Sequence, residues 1–547
     1  MTRWRLTLAI VLLFILGLPL LLPWVDAVRD LAAWPIGAER ERFLALAGNT
    51  SRLVSGVLAI SLPAGILGAI LLYRTDLPWR RGFRLLIILT LFVPLPLFAS
   101  GWQAALGSKG LFSWLMNTTG PWRPWDQGMR TAIWIHAVAG LPWVVWIVGR
   151  GLCWVEPELE EDALLLMRPY RVLLRVTLRR SAAAIGAAAL WVALQTATEV
   201  TVTDMMQVRT YAEEVYNQFV TSDRDLIPRL VAVSTPSVLL AGFLIVTAAL
   251  RWERTLPPRA TLLGTTRLYK LGYLRWPCFL ISAGCIGVLA LVPLSSLLWK
   301  TGLAGSPEHW SLLAFRDALF KAFHARRDLV MTSLSLAAVA GLVTAVLALI
   351  ACWLATESRR FLYFVLLIMA VAWATPAPVV GVGLKQATDL LLRLFPYPPL
   401  AIQLYYGPSS LPGLWINVIR FFPCAVAVLW PFIRSLPPEL RDAARVDGAR
   451  PWQELLYVVF PLSRPALILA VLAVAVLSLG ELGAGKLVET PGSVTFAHEL
   501  FSQMHYGTER DVASLCLLLL LPVLAGGLGV ALAGKLRPWG EPGNPAN

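Results

Sequence analysis

Twelve apolar runs, each about 20 residues long, constrain this chain more than any other feature. They fall at about 6–25, 51–73, 85–106, 131–149, 182–203 and 230–250, then at 277–299, 330–355, 361–384, 412–433, 465–485 and 512–534. At ~1.5 Å per residue, ~20 helical residues cross a hydrocarbon layer ~30 Å thick. Hydrocarbon offers no water to backbone N–H and C=O groups, so such runs must be helical. Only 15% of residues are charged and the mean hydropathy is +0.67, against ~25% charged in soluble domains. That excludes disorder and argues against a water-soluble enzyme. The expectation is an all-α integral membrane protein with about twelve transmembrane helices. The run at 6–25 is too long for a signal-peptide core, and no small-residue cleavage pattern follows at Trp24–Asp26. It therefore reads as a first span. Prolines inside several spans (Pro63, Pro94, Pro96, Pro142, Pro376, Pro378, Pro423) are expected to be tolerated, because neighbouring helices can satisfy the freed backbone groups.

The two sets of six runs are related by a nearly constant spacing. Thr50 and Thr332 each open a span, 282 residues apart, and Pro94-x-Pro96 matches Pro376-x-Pro378 at the same spacing. Glu199 matches Glu481, again 282 apart, and the segment Tyr211–Gln218 resembles Phe496–Gln503 at 285. Together these matches indicate an internal duplication. Six spans per repeat is an even number, so both halves point the same way through the bilayer and form parallel repeats. The expected units are 1–250, a basic linker at 251–276 containing Pro257-Pro258, and 277–547.

The formal charge of +14 would suit nucleic acid in a soluble protein. Here the basic residues mark topology. Arg74, Arg80, Arg81 and Arg84 crowd the loop after the second span, and the linker holds six Lys or Arg. By the positive-inside rule these loops are cytoplasmic, as are both termini. The loop 204–229, with Asp204, Glu213, Glu214, Asp223 and Asp225, then faces outward. No nucleic-acid partner is expected; the lipid bilayer is the first partner.

Between the fourth and fifth spans of the second half runs Pro438-ELRDAARVDGARPWQELLYVVFPLSRP-Ala466. Pro438 can start a helix, and Glu439 and Asp442 suit its positive end. Ala443 and Ala444 continue it as good helix formers. Gly448 permits a sharp turn or a close approach, and Pro461 is expected to close a second helix. The product is a short helix pair at the membrane surface, shaped to enter a partner's cleft. The first half holds a degraded copy: Glu158, Glu161, Asp162 and Ala163, then Met167 where glycine is expected. A helix pair with a different corner is expected there.

The second-half segment resembles the EAA loop of binding-protein-dependent ABC importer permeases, E-A-A-x3-G-x9-I-x-L-P. Asp442, Ala443, Ala444 and Gly448 match it, and Val458-Val459-Phe460-Pro461 stands for the closing I-x-L-P. The likeness covers the whole chain and is greatest to fused two-domain permeases of the iron(III) type, with the thiamine type nearby. It implies the type I permease fold in a bacterial inner membrane. It implies a cytoplasmic ABC ATPase homodimer on the coupling loops and a periplasmic solute-binding protein outside. It also implies no cofactor on this chain, with ATP and Mg on the ATPase, and a cargo of iron(III), or alternatively thiamine, a polyamine or another small solute. The unrelated alternatives are a twelve-span ion-gradient transporter and, last, a polytopic membrane enzyme.

Other motifs carry less. Gly480-ELGAG-Lys486 fits the start of a phosphate-binding loop, but Leu487 stands where Ser or Thr would hold Mg²⁺. No catalytic group is expected. The six cysteines form no C-x-x-C pair, and the five histidines lack ligand spacing, so no metal site is expected. Tyr211, Glu213, Glu214 and Tyr216 offer hard oxygens, although such an outer loop is more often a solvated or docking surface. Glu199 and Glu481, near the outer ends of the fifth spans, either line a wet pathway or lie at headgroup level, where they would be exposed or cap a neighbouring loop.

Overall fold

The computed structural model describes residues 2–29, 40–91, 93–107, 110–115, 127–221, 227–255, 267–305, 309–505 and 509–535. The linker residues Pro257-Pro258 and the outer-loop acids Asp223 and Asp225 lie outside them. Helix occupies all twelve predicted positions. In the first half these are α1 (Thr2–Arg29), α2 (Arg40–Arg74), α3 (Arg80–Leu91) with α4 (Leu95–Leu106), and α5 (Met129–Cys153). Then come α6 (Pro157–Leu166), α7 (Pro169–Arg180), α8 (Ala182–Thr198), α9 (Thr201–Met205), α10 (Tyr211–Thr221) and α11 (Ile227–Thr255). The second half repeats the order. It runs α12 (Arg275–Gly302), α13 (Leu312–Ala355), α14 (Arg359–Ala374) with α15 (Ala377–Leu394), α16 (Leu411–Ser435), α17 (Pro438–Val446), α18 (Pro451–Leu479), α19 (Phe496–His505) and α20 (Glu509–Lys535). Among the described residues seven helices are long and apolar enough to cross a membrane, and up to ten if each of three bent pairs is one span.

The bent pairs correct the expectation of one continuous helix-forming run at each of 85–106 and 361–384. The chain turns by 101° between α3 and α4 and by 111° between α14 and α15. Pro94 (ψ 145°) and Pro376 (ψ 144°) are extended and stand before the second limb of each pair. Pro96 and Pro378 then fall in its first turn, where a missing N–H costs nothing. The fifth spans also stop short. α8 ends at Thr198, with Glu199 extended behind it, and α18 ends at Leu479. Both glutamates therefore sit at a break in the helix, past its last turn.

Pro461 does not close the docking segment. The helix runs through it from Pro451 to Leu479, with a π-turn at Leu455–Val459. The first half has the same π-turn at Leu173–Thr177. An i→i+5 turn at these places accommodates the strain of joining a surface helix to a span without a full break.

The first helix of each half crosses to the other. Leu8, Leu12, Leu16 and Leu20 of α1 are buried in a cluster made otherwise of second-half side chains. Ile286 and Leu289 of α12 lie in the first-half cluster with Leu53, Val57 and Ile135. Large apolar side chains point outward from the bundle, among them Leu239, Leu240 and Phe243 on α11 and Leu280, Ile281 and Leu291 on α12. An aqueous surface would not carry such belts; lipid tails cover them. Close crossing depends on small residues. A Cβ added to Gly383 would lie 1.8 Å from the carbonyl oxygen of Pro19, whereas Gly284 faces open space. Gly383→Val should cost about 1–3 kcal/mol by overpacking, seen as a lower unfolding temperature in detergent, with Gly284→Val as the control that leaves it unchanged.

Candidate functional site

The second-half segment that begins at α17 lies on the surface of the bundle at its arginine-rich end. Glu439, Asp442 and Ala443 on α17 are exposed and Ala444 is half-buried. The helix ends in a Schellman motif. The N–H of Gly448 donates to the Arg445 carbonyl (3.0 Å) and that of Ala449 to Ala444 (2.9 Å). Gly448 has φ +80° with open space around it, so it serves the turn and not a close approach. In the first half Met167 ends α6 with an extended backbone (φ −147°), and no left-handed residue stands at the corner. Glu158, Glu161 and Asp162 are exposed there, and Ala163 and Met167 half-buried. Both segments also expose apolar side chains: Leu165, Leu166 and Tyr170 in the first, Val446, Trp452 and Tyr457 in the second. The motif does not contain these residues, so its pattern could not indicate them.

The other faces of α6 and α17 are tied down by charges that the motif omits. Arg441 donates to Glu357 (2.7 Å), Glu454 (2.8 Å) and Thr356 Oγ1 (2.8 Å). Arg445 binds the same two carboxylates, and Trp353 donates its indole N–H to Glu454 (3.1 Å). Arg5 of α1 reaches Glu357 as well (3.2 Å). In the first half Glu160 is fully buried against Arg74 and Thr177. Outside the spans, the Arg180 guanidinium hydrogen-bonded to Glu156 (2.7 Å) holds that carboxyl below its usual range.

At the other end of the bundle the helix breaks enclose a cavity of about 150 Å³ between the halves. Glu199, Glu481, His136, Arg420, Trp143 and Trp191 line it. Neither glutamate lies exposed: Glu199 accepts the N–H groups of Thr201 (2.6 Å) and Val202 (2.9 Å), capping α9. Glu481 accepts from Ala484 N–H (2.9 Å) and from Arg420 Nε (3.3 Å). Both acids thus line the cavity and cap the backbone that follows them. His136 Nε2 lies 3.6 Å from Glu199. Beside the cavity α10 and α19 meet, with the Tyr216 and Phe501 rings edge to face at 6.5 Å and Lys486 Nζ over both. Glu214 pairs with Arg42, and Glu213 accepts from Asn217 (2.5 Å). Among the described residues no group of three or more His, Cys, Asp or Glu could hold a metal ion.

Two consequences can be measured on the purified chain. Glu481→Gln leaves the half-buried Arg420 facing a neutral amide in place of its carboxylate, at a cost of about 1.5–3 kcal/mol. Glu199→Gln keeps an oxygen for the cap and should cost about 1 kcal/mol. Thermal unfolding in detergent should rank them in that order. Burial, with Glu214 and Asp204 near, pushes Glu213 up to about 7 from the ordinary 4.5. Its contribution is favourable below the unfolded value and is lost as pH rises through about 7. Glu213→Gln should therefore flatten the fall in unfolding temperature between about pH 5 and pH 8.

Comparison with known proteins bears on this geometry. Residues 330–538 match the family described as binding-protein-dependent transport system inner membrane component. The trehalose transport system permease protein of Mycobacterium tuberculosis is 32% identical over 123 residues, 21% of this chain and 45% of the relative. This chain thus spans about half the length of that relative. The sulfate transport system permease protein of Escherichia coli is 25% identical over 253 residues, 42% of this chain and 80% of the relative. The putrescine transport system permease protein of the same species is 27% identical over 234 residues, 43% and 79%. The second half of this helical membrane bundle, residues 330–538, thus resembles the inner membrane components of binding-protein-dependent transport systems.

Proposed function

We propose that this chain is the transmembrane subunit of an ATP-driven importer, with both permease halves in one polypeptide. The observation that carries the reading is α17 with its left-handed Gly448 corner, anchored on one face and exposed on the other at the arginine-rich end. By the positive-inside rule that end is cytoplasmic and so are both termini. There α6 and α17 would enter clefts on an ABC ATPase homodimer, which binds and hydrolyses the ATP with Mg. At the opposite, periplasmic end a solute-binding protein would deliver cargo to the cavity between Glu199 and Glu481, in a bacterial inner membrane. Closure of the ATPases would move the docked helices and rock the halves between inward- and outward-open states.

For the cargo, a small solute fits better than the iron(III) implied by the resemblance to fused permeases. The relatives are named for trehalose, sulfate and putrescine, and the described residues hold no metal-binding cluster. A polyamine and sulfate are the two candidates, because the putrescine permease is 27% identical over 79% of its length and the sulfate permease 25% identical over 80%. Proteoliposomes holding the chain, its ATPase and its binding protein should take up putrescine or sulfate only with internal ATP. Uptake driven by a proton or sodium gradient without the ATPase would overturn the reading in favour of a secondary transporter.

The corner provides a sharper test. A β-branched residue at φ +80° carries about 1–2 kcal/mol of strain, worth about a tenfold loss of ATPase docking. Gly448→Val should therefore cut ATP-driven uptake and ATPase association together, with normal membrane insertion. Met167→Val, on an extended backbone, should change neither.

A further inference from the structure

The second helix of each half is pinned at both ends, and the two inner pins have opposite polarity. α2 is a single 35-residue helix and α13 a single 44-residue one. At ~1.5 Å per residue each is a rod of ~50 Å or more. At the outer end the pins are alike. Arg42 of α2 pairs with Glu214 of α10, and Arg326 of α13 with Glu499 of α19 (2.7 Å). Thr50 Oγ1 accepts the N–H of Tyr211 (3.0 Å), and Ser333 Oγ that of Phe496 (2.8 Å). These are the two outer helices whose Tyr216 and Phe501 rings meet beside the cavity.

At the inner end the charges are exchanged. Arg74, the last residue of α2, holds Glu160 on docking helix α6, and both side chains are fully buried. Just past the end of α13 stands Glu357, which holds Arg441 on docking helix α17. Glu160 and Arg441 are equivalent positions, each the fourth residue of its docking helix. A buried ion pair gains little over apolar packing, but leaving one partner unpaired is costly. Arg74 also donates to the Leu152 carbonyl and Arg441 to Glu454 and Thr356, so each guanidinium is held at more than one point and its orientation is fixed as well as its distance. Opposite polarity makes the two seats mutually exclusive: α6 on the α13 seat would bring Glu160 against Glu357 and Glu454, and α17 on the α2 seat would bring Arg441 against Arg74.

We infer that Arg74–Glu160 and Arg441–Glu357 are positioning pairs that key each docking helix to its own rod, so that displacement at the ATPase end is carried by α2 and α13 to the outer helices α10 and α19. The inference rests on the reading of α6 and α17 as docking helices. Arg445 and Glu454 brace the second seat, and Arg5 ties α1 into it. The exposed face of the docking helices binds the partner; these pairs occupy the face turned toward the bundle.

The test uses the full chain in nanodiscs with its ATPase, in a background lacking the six native cysteines, with spin labels on α10 and α19. Pulsed EPR reads the distance between them before and after trapping with MgATP and vanadate. In Arg74→Glu and in Glu160→Arg, the trapped shift should fall to less than about a third while ATP hydrolysis persists. The double variant, which gives the first seat the second seat's polarity, should recover most of the shift, and Arg74→Lys should keep it. Hydrogen exchange on the chain alone needs no ATPase. There α6 should exchange about tenfold faster in the single variants and return toward wild type in the double. A full shift in the single variants overturns the inference, as does unchanged α6 exchange. A double variant that inserts normally yet stays as uncoupled as the singles overturns it too. A wild-type chain with no ATP-driven shift at all would instead sink the importer reading, and the exchange measurement would still decide the anchors.

Discussion

Backbone hydrogen bonding without water governs this structure. Within hydrocarbon every N–H and C=O must be paired by the protein, so the chain crosses as helices and can break them only where other groups complete the pairing. The breaks cluster accordingly. Pro94 and Pro376 dispense with a donor at the point of the turn, and Glu199 and Glu481 accept N–H groups of the residues that follow the ends of the fifth spans. The same four positions line the cavity or stand beside it. The interior space exists because two pairs of equivalent spans are interrupted at one level and not at random.

Duplication explains why the interruptions face one another, and helix exchange explains why the halves hold together. α1 packs in the second half and α12 in the first, so the contact between repeats is built from core side chains as well as from surface. Equivalence is not identity. Arg420 provides Glu481 with a permanent cation, whereas the first half offers Glu199 a histidine from the corresponding helix α5. At the inner end Arg441 stands where the first half has Glu160. Each substitution keeps a pair and changes its chemistry, so the two related halves are alike in arrangement without being interchangeable.

Much of the fold was legible in the chain. Apolar runs of bilayer length indicate spans because the solvent is uniform across them, and a constant spacing of 282 survives divergence because corresponding turns need the same proline or acid. The corner after α17 was legible for a similar local reason: Gly448 is required by its left-handed backbone. The breaks in the third and fifth spans were not legible. A proline in a span can kink it slightly or reverse its course, and only the packing around Pro94 and Pro376 decides between these. Pro461 was misread in the opposite sense, since a π-turn let the helix continue through it.

What the sequence determined by itself is the class of molecule: a duplicated helical membrane protein with an arginine-rich face and two nearly neutral docking segments. Those properties depend on composition and on contacts between near neighbours in the chain. The tertiary structure alone decided which charges meet. Arg74 lies 86 positions from Glu160, Glu357 lies 84 from Arg441, and Tyr216 and Phe501 come from different halves. An ion pair or ring contact depends on distances of a few ångströms between side chains carried by separate helices. Such distances are set by how the helices pack, and no local pattern encodes them.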